Sequence, residues 1–286
     1  MGKMIALDVG GTFIKYACFV DGRMESASCG QFPINEKGSR EEILDPIRNF
    51  LLGQRADAVC ISIPGPMDYP TGTSRMRHKF VSLLGFPMKA CFQEALPGVS
   101  VDFVHDGVAF LAGALALGEG GQAKRPAGVM LGTGLGFAMA EEGRILINEV
   151  NTPCPPLWNM PYREGIAEDY VSGRAIRAFY ARESGQTADV REIAQMARDG
   201  NALAARVLWE AGRALGEMMQ RRKEQLGIDL VILGGQISKA ADVLLPAARQ
   251  ETDVDFHVTA YPDRAALYGA YAYSVKGGAL VKRVPA

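Results

Sequence analysis

No apolar run in this 286-residue chain approaches the roughly 20 residues that cross a bilayer. The apolar stretch Met4–Leu7 is cut short by Asp8, too early for a signal sequence. Gly2 stands where a myristoylated glycine would, but Ala6 occupies the place of the Ser or Thr that this motif needs. The expectation is a soluble, unprocessed cytoplasmic protein with no membrane partner. Charge of one sign is not in excess either. The 31 Lys+Arg against 32 Asp+Glu leave a formal net charge of -1, whereas a nucleic-acid binder ordinarily carries a basic surplus. No nucleic-acid partner is expected. Cysteine is scarce and unpatterned: Cys18, Cys29, Cys60, Cys91 and Cys154 are odd in number, with no pair at Cys-x-x-Cys spacing. That excludes a disulfide framework and suggests reduced thiols packed as small hydrophobes. The three histidines, His78, His105 and His257, are too scattered to indicate a metal site by themselves. Two nucleotide-binding signatures are missing as well. There is no Gly-x-x-x-x-Gly-Lys-Ser/Thr, and no Gly-x-Gly-x-x-Gly follows the first strand.

What is present is ordinary globular composition, 48% hydrophobic and 22% charged, which argues against a disordered or fibrous chain. Met4–Val9 and Phe13–Val20 read as strands around Gly10-Gly11-Thr12. Asp21-Gly22 is a strong hairpin signal, with Arg23–Ser28 as the returning strand. Ser39 to Glu42 fits a capping box ahead of a helix that Pro46 either kinks or begins. Asp57–Ile63 and Val99–His105 read as buried strands, the second followed by an Ala/Leu-rich helix to about residue 117. Strands alternating with helices imply an α/β fold. Residues 127–147 then repeat the opening order: strand, Gly132-Thr133-Gly134, strand, Gly143-Arg144 turn, strand. Two related halves follow from that repeat. Asn151–Tyr162 carries four prolines and should be irregular. Helices are expected over 164–172, 174–182, 202–226 and 263–274, with a strand at 229–233 closed by Gly234-Gly235.

Three glycine turns at the ends of apolar strands favour a polyphosphate ligand, because glycine lets backbone N–H groups approach an anion. Asp8, next to the first turn, fits a carboxylate holding Mg²⁺ beside phosphate, or an Asp bonding its own turn. Asp106 fits a helix N-cap or a general base at the carboxyl end of a sheet; local sequence favours the cap. His105 could bond a substrate hydroxyl or simply the backbone.

Taken in order, the motifs are Asp8-Val9-Gly10-Gly11-Thr12, Ile63-Pro64-Gly65-Pro66, His105-Asp106-Gly107, Gly118-Glu119, Gly132-Thr133-Gly134-Leu135-Gly136, Glu168 before Tyr170-Val171-Ser172-Gly173-Arg174, and Leu233-Gly234-Gly235. This series resembles the ROK family of bacterial sugar kinases and related repressors, within the actin-like ATPase superfamily. The resemblance implies two actin-like, ribonuclease H-like domains with an interdomain cleft, residues 1–108 with 263–286 forming one and 109–262 the other. It implies an ATP-dependent hexose kinase using Mg²⁺, with Asp106 as catalytic base toward a sugar hydroxyl, the 6-OH in the family. Asp8 would hold Mg²⁺ through water. Gly10, Gly11, Thr12 and Lys15, then Gly132, Thr133 and Gly134, then Gly234 and Gly235, would line the nucleotide. Gly65, His78, His105, Asp106, Glu149 and Glu168 would meet the sugar. A homodimer is the expected assembly.

The chain also departs from that pattern. Many family members place a His and three Cys around a structural zinc; here Cys154 stands alone and Thr152 occupies the place of the His, so no structural zinc is expected. His105 replaces the Asn before the catalytic Asp, and His78-Lys79-Phe80 falls where a sugar-contacting Asn-Leu would be. The alternative these changes leave is a non-catalytic sugar-binding sensor or pseudokinase.

Overall fold

The computed structural model describes residues 2–285. In chain order its main elements are β1 (Lys3–Val9), β2 (Phe13–Val20), β3 (Arg23–Pro33), α1 (Arg40–Leu52), β4 (Ala58–Ile63), α2 (Met88–Ala95), β5 (Ser100–His105), α3 (Asp106–Ala116), β6 (Pro126–Leu131), β7 (Leu135–Glu141), β8 (Arg144–Ile147), α4 (Gly173–Ser184), α5 (Val190–Arg198), α6 (Ala202–Leu226), β9 (Leu230–Gly234), α7 (Ala241–Glu251), β10 (Asp255–Val258), α8 (Ala265–Lys276) and β11 (Val281–Arg283). The architecture is α/β, with two compact units. The first comprises Met1–Leu117, Arg144–Cys154 and Asp263–Ala286; the second comprises Gly118–Gly143 and Pro155–Pro262. This division differs from the sequence-based one. Helix α3 stays with the first unit because it packs along α8, and residues 144–154 join it because β8 pairs in parallel with β11.

The sheet of the first unit runs β3-β2-β1-β4-β5. The β2 and β3 partners are antiparallel, while β1, β4 and β5 are parallel. The near-continuous apolar runs of β1 and β4 are buried on both faces, as a covered parallel sheet requires. Asp21 (φ 47) and Gly22 (φ 86) both adopt the left-handed conformation that a type I′ hairpin needs. Helix α1 begins at the expected capping box, Ser39 with Glu42, and runs through Pro46 rather than starting there. In the second unit the ladder is β10-β9-β6-β7, with β6 and β7 antiparallel and β9 parallel to both β6 and β10. The 25-residue α6 buries Val207, Ala211, Leu215, Met218 and Met219 as expected; Leu203 is only half-buried, and Ala204 and Leu208 turn inward instead.

Only Glu168–Val171 of the expected 164–172 helix is helical. Pro161–Tyr162 and Gly165–Ile166 close a tight hairpin in front of it. The proline-rich loop is irregular, as expected, and α6 fastens it. Buried Arg222 donates to the Pro156 carbonyl, and the Tyr162 hydroxyl donates to Glu217 at 2.7 Å. Among the described residues no helix is long and apolar enough to cross a membrane.

Candidate functional site

Parallel neighbours bring the carboxyl ends of β1, β4 and β5 level, the position at which open α/β sheets bind ligands. Asp8 is registered opposite Ser62, and Ile63 opposite His105. The Ser62 hydroxyl, fully buried, donates to Asp8 Oδ1 at 3.0 Å. Ser62 was not singled out from the sequence, although one hydroxyl inside an otherwise apolar buried strand is the type of exception that signals a polar partner. Burial, then the charge of Asp106, push the Asp8 carboxyl up to about 6, against the pull of Ser62 and Lys15.

Asp106 opens α3 but is not its N-cap. His105 holds that position, with extended backbone (φ -64, ψ 137), and its Nδ1 lies 2.9 Å from the Gly107 N–H. Asp106 Oδ1 is 2.7 Å from the same N–H and 3.0 Å from Nδ1. The cap reading of Asp106 is therefore corrected: His105 occupies the N-cap position and Asp106 is the first helical residue, its carboxylate beside the same N–H. Burial raises the Asp106 carboxyl, but the charge and hydrogen bond of His105, the Gly107 N–H and Lys79 outweigh it. The group sits below the usual carboxylate range. Asp8 and Asp106 are thus pushed apart, the pattern by which neighbouring carboxylates take different roles.

The three glycine turns have distinct geometries. In the first, Gly10 N–H donates to the Phe13 carbonyl at 3.0 Å, leaving the Gly11 and Thr12 N–H groups without a partner among the described residues. Lys15 faces Asp8 across the β1–β2 pair, and its ammonium meets Asp263 at 2.5 Å. In the second, Gly132 N–H reaches the Gly134 carbonyl at 3.1 Å and the Gly132 carbonyl accepts from Gly173 N–H at 2.8 Å, while the Thr133 and Gly134 N–H groups have no partner among the described residues. The third follows the parallel neighbour, with Gly234 opposite Met130. Gly235 has φ +83, and a Cβ there would lie 2.3 Å from the Leu131 carbonyl oxygen. Only glycine fits, which brings the second and third turns side by side.

The sugar-side residues are less uniform. Gly65 lies against the His105 ring, its virtual Cβ 3.4 Å from Cδ2. His78 and Glu149 are exposed in loops. Glu168 sits in the second unit, away in sequence from both, with Oε2 accepting from the Leu135 N–H at 2.9 Å and Oε1 from Arg174 at 2.8 Å. Its backbone N–H donates to the Trp158 carbonyl. His257 pairs with Glu119 at 3.3 Å. Cys18, Cys60 and Cys154 are buried free thiols, and Cys29 and Cys91 are half-buried. Among the described residues no three His, Cys, Asp or Glu are grouped as metal ligands.

The chain is similar to known sugar kinases. The glucokinase of Thermotoga maritima is 24% identical over 282 residues, spanning 89% of this chain and 88% of that one. The N-acetylmannosamine kinase of Yersinia pestis is 25% identical over 260 residues, 85% of this chain and 86% of that one. The ROK family glucokinase of Streptomyces griseus, solved with glucose and AMPPNP, superposes with a TM-score of 0.76 at 20% identity, covering 96% of this chain and all of that one (100%); it shares the fold. The ROK family model matches residues 4–150 and 162–272, nearly the whole sequence, and the chain belongs to the ROK family.

Proposed function

We propose that this ROK carbohydrate kinase transfers the γ-phosphate of ATP to a hexose hydroxyl, the 6-OH, with Asp106 as general base. The observation that carries this reading is Asp106 itself. It is a carboxylate at the carboxyl end of a parallel strand, held below the usual range by His105 and Gly107, and so ionised and able to accept a proton at neutral pH. The free N–H groups of Gly11, Thr12, Thr133 and Gly134 suit phosphate oxygens, and Lys15 adds a cation beside the first turn.

The donor set also fits a magnesium ion. Asp8 is a part-buried carboxylate whose ionisation is opposed by burial and by Asp106, so a divalent cation there would remove the opposition. A single protein carboxylate with water and phosphate oxygens is ordinary Mg²⁺ coordination. When bound, Mg²⁺ would neutralise charge on the transferring phosphate. Asp8 would orient that ion through water. Asp106 would align the sugar oxygen and take its proton as attack proceeds, while the glycine turns hold the phosphates in line. Gly65, His78, His105 and Glu149 are the proposed sugar contacts, with Glu168 bracing the Gly132-Thr133-Gly134 turn.

The test is a panel of hexoses and N-acetylhexosamines scored for sugar-dependent ADP formation with Mg·ATP. Stimulation by at least one sugar, with product phosphorylated at the 6-position by NMR, is the expected result. ADP formation indifferent to every sugar would overturn the reading and leave a sugar-binding sensor.

A further inference from the structure

Three atoms converge at the start of α3. Nδ1 of His105 lies 3.0 Å from Oδ1 of Asp106, and the single N–H of Gly107 is within bonding distance of both, at 2.9 and 2.7 Å. One proton cannot serve two acceptors fully. A bare Nδ1 lone pair directed at a carboxylate oxygen would also be repulsive. Both difficulties vanish if Nδ1 carries a proton. Nδ1–H and the Gly107 N–H then both donate to Oδ1. Among the described residues both contacts fall on Oδ1 and none on Oδ2.

The ring is fixed on its other sides. It meets Tyr69 edge-on, centroids 5.6 Å apart at 63°. Tyr69 is fully buried and anchored by its hydroxyl to the Ile63 carbonyl. Gly65 passes so close that an added Cβ would sit 3.5 Å from Nε2. With the side chain only 15% exposed, the ring has little freedom to turn over. The other charged or titratable groups acting on Asp106 and its neighbours are Asp8 on β1, Lys15 on β2, and Lys79 and Tyr69 in the segment after β4.

We infer that His105 is a positioning residue with two functions: its Nδ1–H locks Oδ1 of Asp106, so that Oδ2 is the oxygen that takes the substrate proton, and its Nε2 accepts a hydrogen bond from a second donor on the sugar. The inference rests on the kinase reading above and narrows the substrate to sugars bearing a further hydroxyl or amide N–H within reach of the phosphoryl acceptor. In the transfer step the attacking O–H loses its proton to Oδ2, a new O–P bond forms, and the bond from the γ-phosphorus to the bridging oxygen breaks. Its electron pair leaves on ADP. The Nδ1 proton stays on His105 throughout.

Two experiments test it. The first is nitrogen-15 NMR of the unliganded protein, in which only three histidines contribute and His105→Asn identifies the signal. The neutral ring should be protonated at Nδ1 and bare at Nε2; the opposite tautomer overturns the lock, whether or not the protein is a kinase. The second compares the best sugar with its monodeoxy analogues. His105→Asn puts a residue favoured at the N-cap position there and can offer an amide N–H to Oδ1, but is too short to place an acceptor at Nε2. It should raise the sugar KM about tenfold with kcat held within about threefold. One deoxy analogue should cost the parent about tenfold and this variant nothing more. His105→Leu, with a melt confirming the fold, should lower kcat about 10–100-fold. Equal deoxy penalties in parent and His105→Asn overturn the Nε2 contact, and an unchanged kcat in folded His105→Leu overturns the lock. A parent inactive on all sugars overturns the kinase reading instead, and the tautomer then decides the lock alone.

Discussion

Gly113 and Gly269 let α3 and α8 touch backbone to backbone. A Cβ on Gly113 would lie 1.7 Å from the Ala265 carbonyl oxygen and 2.8 Å from the Gly269 nitrogen; one on Gly269 would lie 1.6 Å from the Ala109 carbonyl oxygen and 2.8 Å from the Gly113 nitrogen. Both neighbours are main chain, so no side chain can yield. The helix that carries Asp106 is therefore set by a hydrogen-for-methyl fit with a helix more than 150 residues away in sequence.

Gly269→Ala is the direct probe of that fit. In a free helix the alanine would gain about 0.5–1 kcal/mol, so any net loss measures the crossing. Forcing the helices apart should cost about 1–3 kcal/mol or more, read as a lowered Tm. Activity should fall as well, since α3 starts at Asp106. A variant as stable as the parent would show that the two helices can separate freely.

Asp106→Asn separates a structural carboxylate from a catalytic one. An asparagine side chain keeps an oxygen that can accept the Gly107 N–H, so the change leaves the start of the helix in place. Thermal melting and nucleotide binding should stay close to the parent. Sugar-dependent ADP formation should drop by about 10²–10⁴-fold, the contribution of a positioned base. Near-parental turnover on the best sugar would remove Asp106 from the mechanism.

Asp8 predicts an opposite pH trend for stability. Its carboxyl is raised from 3.8 to about 6, so the folded protein holds that proton more tightly than the unfolded chain. Between about pH 4 and 6 this group makes stability fall as pH rises, reaching a cost of about 2–3 kcal/mol above pH 6. Asp8→Asn retains an acceptor for the Ser62 hydroxyl and has no charge to bury. Urea melts without metal should show the variant more stable than the parent at pH 7.5 and close to it near pH 4. Mg·ATP should narrow the gap by stabilising the parent more. A stability difference that ignores pH would contradict this assignment.

Much of this was legible because the signals are local. Apolar strands ending in glycine located all three turns, the capping box at Ser39 began α1, and the type I′ turn at Asp21-Gly22 closed its hairpin. Relations set across the sheet were not legible. Nothing near Asp106 in sequence shows that β4 brings Ser62 to Asp8, or that Tyr69 backs the His105 ring. Residues 144–147 read as the last strand of the repeat, yet β8 also pairs with a strand from the far end of the chain. Helix α2 follows Pro87 without a capping side chain, and α7 contains Pro246, which hides both. For α5 the signal was present, since Asp189 and Glu192 form a capping box.

Glu168 is where the resemblance and the geometry give different emphasis, and one variant distinguishes them. By resemblance it is an acidic sugar contact. In the structure Oε2 bonds the Leu135 N–H at 2.9 Å, immediately after the Gly132-Thr133-Gly134 turn, and a Cβ on Gly134 would be 2.7 Å from that oxygen. Oε1 meets Arg174, whose side chain is 62% exposed, a pairing weak enough for a ligand to replace. The buried contact is therefore the one to the turn. Glu168→Gln can keep an acceptor toward Leu135 N–H while losing the negative charge, whereas Glu168→Ala leaves that N–H unpaired and the turn unbraced. If bracing dominates, Ala should raise the ATP KM about tenfold and Gln should restore most of it, because one hydrogen bond is worth about 1 kcal/mol. If the charge instead holds a sugar hydroxyl, both variants should raise the sugar KM alike and leave the ATP KM unchanged. The geometry favours the first outcome, and initial-rate kinetics with each substrate varied in turn would read it directly.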